Sequence, residues 1–289
     1  MQPAFRKVVI FGVGLIGGSF SLALRKAGAV TEMVGFGRSA ATLNEARQLG
    51  IIDRIGSDVA VEVHDADIVL IATPVAQMSD IFRRIAPHLG GNTLVTDGGS
   101  TKGDVVVAAY ANLGDKVAQF IPAHPIAGAE KSGASAALPD LYQGKRVVLT
   151  PMAENSQDSV ARVRKAWELC GAKVSELTAA QHDEVFAAVS HLPHLLSFAL
   201  VHDLAKRENK DQLLSFAASG FRDFTRIAAS SPEMWRDICM ANREALLGEL
   251  QQYANELYVL HQALQNNDAS KLEEIFSLAR EVRSAWTQQ

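Results

Sequence analysis

The sequence predicts an α/β fold, a doubly wound and mainly parallel sheet followed by an all-helical domain. Short β-branched runs alternate with helix-period segments through the first half, several of those runs are apolar at successive positions, and the strand signal stops near Ala180. Alternating strands and helices are the pattern of strands joined by crossover helices. Continuous apolar runs are what a parallel sheet requires, because helices cover both of its faces. With 289 residues, 48% hydrophobic and 21% charged, the chain exceeds one average domain and can bury a sizeable core. The expected division is a first domain over 1–178 and an all-helical one over 179–289.

In chain order the candidate strands are Lys7–Gly12, Glu32–Gly37, Ala66–Thr73, Thr93–Asp97, Val117–Ile121, Arg146–Thr150 and Lys173–Leu177. Helical periodicity between them marks Ile16–Ala27, Ala40–Leu49, Gln77–Ala86 and Ser159–Cys170. In the second domain, Ser231 is placed to cap a helix whose first residue is Pro232, where the missing N–H costs nothing. One helix is expected from there to about Asn266. Along it Leu246, Leu250, Tyr253, Leu257, Leu260 and Leu264 recur at alternating spacings of four and three. That seam reads equally as an intrachain core or as a subunit interface.

Charge and cysteine content narrow the functional classes. A formal net charge of −4, with Lys and Arg scattered, offers no field to hold a phosphate backbone, so a nucleic-acid partner is not expected. The two cysteines, Cys170 and Cys239, suggest neither a disulfide framework nor a structural zinc site. The apolar run near the start is short and broken by glycine, so no membrane span and a cytoplasmic location are expected.

The stretch IFGVGLIGGSF sets Gly12, Gly14 and Gly17 in a G-x-G-x-x-G pattern, with Leu15 and Ile16 between the last two, directly after a strand and opening a helix. Gly12 permits the tight turn, Gly14 lets the backbone approach a pyrophosphate, and Gly17 allows close packing of helix on strand. The helix N-terminus supplies free N–H groups and a positive dipole end for the anion. This is the Rossmann-type dinucleotide-binding turn. An NAD site usually places Asp or Glu at the end of the second strand, about 20 residues on. Here Arg38 and Ser39 stand there, so NADP is the favoured cofactor; with Arg38 stacked on the adenine or solvated, NAD is the other.

In doubly wound sheets the ligand lies beyond the carboxyl ends of the strands. Thr73 and Pro74 follow the third candidate strand and are expected along the cofactor. Ser100 follows the fourth, and His124 follows the fifth. A histidine there is within reach of neutral pH and can take a proton, while a serine hydroxyl can orient its ring. Against this, a His before Pro can cap a turn, and Ser100 can be the N-cap of a helix starting at Thr101.

The order GVGLIGGS, ATPV, DGGSTKG, HPIAGAEKSG, SHLPH and GFRDFTRIA resembles the prephenate/arogenate dehydrogenase family over nearly the whole chain. The resemblance implies a nucleotide-binding domain followed by an all-helical dimerisation domain, a homodimer, and oxidative decarboxylation of a cyclohexadienol with hydride transfer to NADP or NAD. It implies that His124 accepts the ring hydroxyl proton, that Ser100 assists, and that Glu130 stands at the substrate entrance. Ser190, His191 and His194 then line the cleft, with His194 as the substrate contact, and Trp235 of SSPEMW is a further candidate for substrate binding. Arg226 becomes the carboxylate clamp with Asp223 nearby, and Arg222 is the alternative. Prephenate carries a ketone where arogenate carries an ammonium, so a carboxylate such as Glu130 near the side chain favours arogenate.

His191 and His194 share a helix face, but no third ligand is evident and Pro193 disturbs the helix, so no metal is expected. Other readings of the two-domain plan are a hydroxyacid or imine reductase, or a non-catalytic NADP-sensing protein. Hydroxyacid enzymes put a catalytic lysine in the helical domain, whereas Lys206 and Lys210 lie in a polar stretch that reads as solvated surface.

Overall fold

The computed structural model describes residues 3–128 and 133–286. Strands and helices alternate as β1 (Phe5–Phe11), α1 (Leu15–Lys26), β2 (Val30–Phe36), α2 (Ala40–Gln48), β3 (Arg54–Ile55), α3 (Val59–His64), β4 (Ile68–Ile71), α4 (Met78–Ile85), β5 (Leu94–Asp97), α5 (Gly103–Leu113) and β6 (Phe120–Ile121). The strands form one sheet in the order β3-β2-β1-β4-β5-β6, with every pairing parallel. Chain order reverses between β1 and β4, which opens a crevice at their carboxyl ends.

Burial explains why β1 is apolar at nearly every position. Val8 and Ile10 pack into a core with Phe20, Leu24 and Trp167, while Val9 and Phe11 pack into a second core with Phe82, Ile85 and Phe120. Each face of the sheet has its own helical cover, as continuous apolar runs require. The two-residue β3 was not among the candidate strands; Arg54 and Ile55 pair with Val34 and Gly35 over too short a span to show periodicity.

The remaining strands depart from the single expected sheet. Residues 114–119 form a 3₁₀ turn, so only Phe120 and Ile121 of the Val117–Ile121 segment join the ladder. Pro122 lacks an N–H to continue it and its carbonyl instead accepts from the Thr150 amide at 3.0 Å. The chain thereby enters a second sheet of β7 (Ala123–Pro125), β8 (Arg146–Leu149) and β9 (Lys173–Glu176), in which β7 is antiparallel and β9 parallel to β8. The helix α6 (Gln157–Leu169) connects the last two.

From Ala179 onward every described regular element is helical: α7 (Ala179–Phe186), α8 (Leu192–Ala205), α9 (Lys210–Ser215), α10 (Ser219–Thr225), α11 (Pro232–Ala241), α12 (Arg243–Gln265) and α13 (Ala269–Trp286). A capping box of Thr178 and Gln181 starts α7. A π-helical turn over Ala187–His191 joins α7 to α8, just before Pro193, whose ring cannot sit in an unrelieved α-helix. The stretch Ala179–Ala205 is long and apolar enough to cross a membrane by length and composition alone. Its His182, Asp183 and His191 are buried and bonded to His124 of β7, Gly103 of α5 and Asn242 after α11.

Ser231 caps α11 through the Met234 amide, as expected. The single helix expected from Pro232 to Asn266 is interrupted: Asn242 leaves helical geometry at φ −106°, ψ 35°. Its side chain is buried and donates to the Asp183 carbonyl at 2.7 Å and to the His191 ring at 3.1 Å. These tertiary bonds outweigh continued helix at one residue. The chain forms two compact units, 1–243 and 244–289. In the second, Leu257 and Leu264 of the seam are 49% and 65% exposed, and Phe276, Val282 and Trp286 of α13 are exposed too.

Candidate active site

The glycine turn after β1 has the geometry its spacing demands. Gly12 sits at φ +95°, and a Cβ there would stand 2.5 Å from the Ala72 carbonyl oxygen. A Cβ on Gly17 would strike the Gly12 carbonyl, so α1 rests directly on the turn. Beside Gly14 there is open space, and Gly14 caps α1 with no side chain over the first amides. Those amides and the helix dipole are available to a pyrophosphate. Tyr142, fully buried, supports the turn from behind by donating to the Ile16 carbonyl at 2.6 Å.

Two cavities open from this turn. One, of about 600 Å³, has Gly12, Gly14, Arg38, Ser39, Thr73 and Pro74 in its wall, together with Asp80 and Arg84. Ser39 also caps α2 by accepting from the Thr42 amide at 3.3 Å. The other, of about 510 Å³, is walled by Gly14, Leu15, Ile16, Thr73 and Pro74 on one side and by Ser100, Arg226, Ile227, Met234, Asp237 and Ile238 on the other. The two share the glycine turn, so a dinucleotide lying across it has room at both ends.

The loop after β5 is stapled from beneath. Asp97 and Lys102 are fully buried and ion-paired. Asp97 also accepts the Gly99 and Ala123 amides at 2.8 and 2.9 Å, while Lys102 Nζ donates to the Ala123 carbonyl at 2.8 Å. Each charge is thus both paired and hydrogen-bonded, the condition under which buried ions are tolerated. The bonds tie the Ser100 loop to the residue before His124. The helix after this loop starts at Gly103, later than Thr101, and its first amides are capped by Asp183 rather than by Ser100.

His124 is half-buried on β7, and its ring lies 4.9 Å from that of Phe186. Its Nδ1 stands 2.8 Å from Nε2 of His182, whose own Nδ1 is 2.7 Å from Asp183. Burial, then the nearby His182, Lys102 and His191, lowers the His124 pKa well below its ordinary value. Burial lowers that of His182 as well, against the pull of Asp183. His191 is pushed down to about 4 by burial, against the pull of Asp183 and the Ser100 carbonyl. His194 donates from Nδ1 to the Ser190 carbonyl at 2.8 Å and stacks on Trp235 with ring centres 3.6 Å apart.

The structure therefore brings Gly14, Leu15, Ile16, Thr73, Pro74, Ser100 and Arg226 around one crevice, while Trp235 is buried and neither it nor His124 nor His194 lines either cavity among the described residues. Gly12, Arg38 and Ser39 line the adjoining cavity, and Gly17 packs beneath the turn. Arg222 and Asp223 are exposed on α10 and line neither cavity among the described residues. Glu130 lies outside the described residues. Sequence reasoning missed His182, Asp183, Asn242, Asp237 and the Asp97–Lys102 pair. The last was legible in DGGSTKG, where a lysine and an aspartate flank the serine.

Comparison with known proteins fits this architecture. Residues 20–176 match the prephenate dehydrogenase nucleotide-binding domain and residues 178–278 match the prephenate dehydrogenase dimerization domain. A cyclohexadienyl dehydrogenase of Zymomonas mobilis is 32% identical, over 98% of this chain and 97% of its own. The structure of Aquifex aeolicus prephenate dehydrogenase with hydroxyphenyl propionate and NAD+ superposes with a TM-score of 0.89 at 34% identity, covering 97% of this chain and 98% of that one. Synechocystis arogenate dehydrogenase superposes with a TM-score of 0.82 at 30% identity, covering 97% and 99%. With the two domain models together matching residues 20–176 and 178–278, and relatives at 30% identity or more aligned over nearly the whole chain, the chain belongs to the prephenate dehydrogenase family.

Proposed function

We propose that the protein is the oxidoreductase that converts prephenate or arogenate to 4-hydroxyphenylpyruvate or tyrosine, with loss of carbon dioxide and hydride transfer to a nicotinamide dinucleotide, in tyrosine biosynthesis. The observation that carries this reading is the crevice whose wall joins Gly14 and Ser100 to Arg226, which puts a cofactor turn and a carboxylate-binding group on the same space. The nicotinamide ring, when bound there, supplies the hydride acceptor. His124, neutral in the resting protein, takes the ring hydroxyl proton as hydride leaves the carbon bearing it. The C–C bond to the ring carboxylate then breaks, its electron pair restores aromaticity, and the resulting phenolate regains its proton from His124. No proton is gained or lost overall, and aromatisation makes the step effectively irreversible.

Positioning falls to Arg226 and Ser100 on that crevice and to the stacked pair of His194 and Trp235. Arg226 grips a carboxylate through its planar fork, Ser100 orients the His124 ring, and His194 with Trp235 contacts the substrate ring. Asp237, on the same wall as Arg226 and paired with Arg236 at 2.6 Å, supplies the charge that an arogenate ammonium needs, so the reading includes both substrates. NADP is the favoured cofactor, supported by Arg38 and Ser39 at the end of β2 and the absence of a carboxylate there. NAD is the second reading, favoured by the carboxylate of Asp80 on that cavity wall. The exposed Leu257, Leu264, Phe276 and Trp286 of α12 and α13 support a homodimer.

Initial rates with prephenate or arogenate, each paired with NAD or NADP, test the reading. Reduced nicotinamide is expected with at least one substrate and with the higher kcat/KM for NADP. Silence in all four pairings, with cofactor still bound, contradicts the assignment; a higher kcat/KM with NAD reverses the cofactor preference alone.

A further inference from the structure

The reaction described above assigns no part to His182 or Asp183, adjacent residues of α7 buried between α5 and His124. The carboxylate of Asp183 is saturated with donors. Oδ1 accepts the Lys102 amide at 2.8 Å and stands 2.7 Å from His182 Nδ1, while Oδ2 accepts the Gly103 amide at 2.7 Å. Burial pushes its pKa up, but the hydrogen bonds from His182 and the two amides outweigh it and hold the group below its ordinary value, so Asp183 is ionised. An ionised carboxylate offers only lone pairs, and His182 Nδ1 must therefore be the donor.

A neutral imidazole has a single N–H, which leaves His182 Nε2 as an acceptor. Its partner, at 2.8 Å, is Nδ1 of His124. That nitrogen must donate, and the lone pair of His124 is then on Nε2. We propose that Asp183 and His182 are positioning residues that lock His124 in its Nδ1–H tautomer, so that Nε2 is the basic nitrogen, and that they share the charge once His124 has taken a proton. Proton uptake at Nε2 lets the Nδ1 proton pass to His182 Nε2, which places the cation against Asp183; return of the proton to the product reverses both transfers. The buried Lys102, paired with Asp97, disfavours a cation on either ring, and on His182 the negative charge of Asp183, with a smaller part from Asp97, offsets it. The proposal rests on His124 as the base of the reaction proposed above.

The test has a readout that needs no turnover. Nitrogen-15 NMR of the histidine rings in the full-length protein, near neutral pH, is expected to show Nδ1–H tautomers at both His124 and His182. Asp183→Asn, whose amide can donate into His182 Nδ1, is expected to reverse them and to lower kcat about 100-fold or more, while KM and cofactor affinity stay within about threefold. Asp183 also caps α5, so a second pair of variants covers a folding defect. His182→Gln keeps an acceptor for His124 Nδ1–H and is expected to lose about tenfold in kcat, whereas His182→Phe has none and loses about 100-fold or more. An Nε2–H tautomer at His124 in the unaltered protein overturns the relay and leaves the proposed reaction standing. The expected tautomers with an unaltered kcat in Asp183→Asn or His182→Phe overturn the relay's part in the reaction, and an unaltered kcat in His124→Asn overturns the base assignment on which it rests.

Discussion

A histidine that must accept a proton has to be neutral when substrate arrives, and the surroundings of His124 keep it so. Burial acts first, and His182, Lys102 and His191 add to it, which places its pKa well below 6.5. The kcat/KM profile is therefore predicted to stay flat on its acid side down to pH 6.5 and to fall only below it; an acid limb at or above 6.5 contradicts the assignment. The candidates Gly12, Gly14, Ser100 and His124 were legible in the sequence because each stands at or just after the end of a candidate strand; the structure keeps Gly12, Gly14 and Ser100 in the loops after β1 and β5 but sets His124 within β7. His182 and Asp183 were not legible, since Ala179–Phe186 reads as an ordinary polar helix face. Only the packing of α7 on α5 turns those side chains toward the α5 amides and His124. Arg226 and Arg222 were equivalent by spacing, and the break of α10 into a 3₁₀ turn at Arg226 separates them.

At the scale of elements, the β5–α5 loop is held by a buried ion pair below it and a borrowed cap at its end. Lys102→Met takes the ion-pair partner from Asp97 in a fully buried position. That change is predicted to destabilise the protein by about 3–5 kcal/mol, read as a lower denaturant midpoint, because the uncompensated charge has no solvent. A loss below about 1 kcal/mol would show that the pair is not what staples the loop. Of the main sheet, β1, β2, β4 and β5 with α1, α2 and α4 followed from periodicity; β6 is shorter than expected, and β3, α3 and α5 did not follow. The second sheet did not, because the decision turns on one missing N–H at Pro122. Nor did the break between α11 and α12, where the competing bonds of Asn242 reach residues distant in sequence.

Over the whole molecule, the two-faced core of the parallel sheet was the clearest sequence signal, and the pH behaviour of the fold was the least visible. His191 has a folded pKa near 4 against 6.5 for the free side chain, and His124, His182 and His194 are lowered too. A lowered histidine contributes stability that is complete above pH 6.5 and lost as pH falls toward the folded value, because the unfolded chain takes up protons first. Melting temperature is predicted to drop between pH 6.5 and 4, with His191 alone worth on the order of 3 kcal/mol. A flat melting temperature across that interval contradicts it. The proposed reaction turns on His124 as its base, so the most direct measurement is the turnover of His124→Asn with cofactor affinity determined on the same sample. The account predicts kcat lowered by about 100-fold or more with the cofactor bound as before; an unchanged kcat would contradict it.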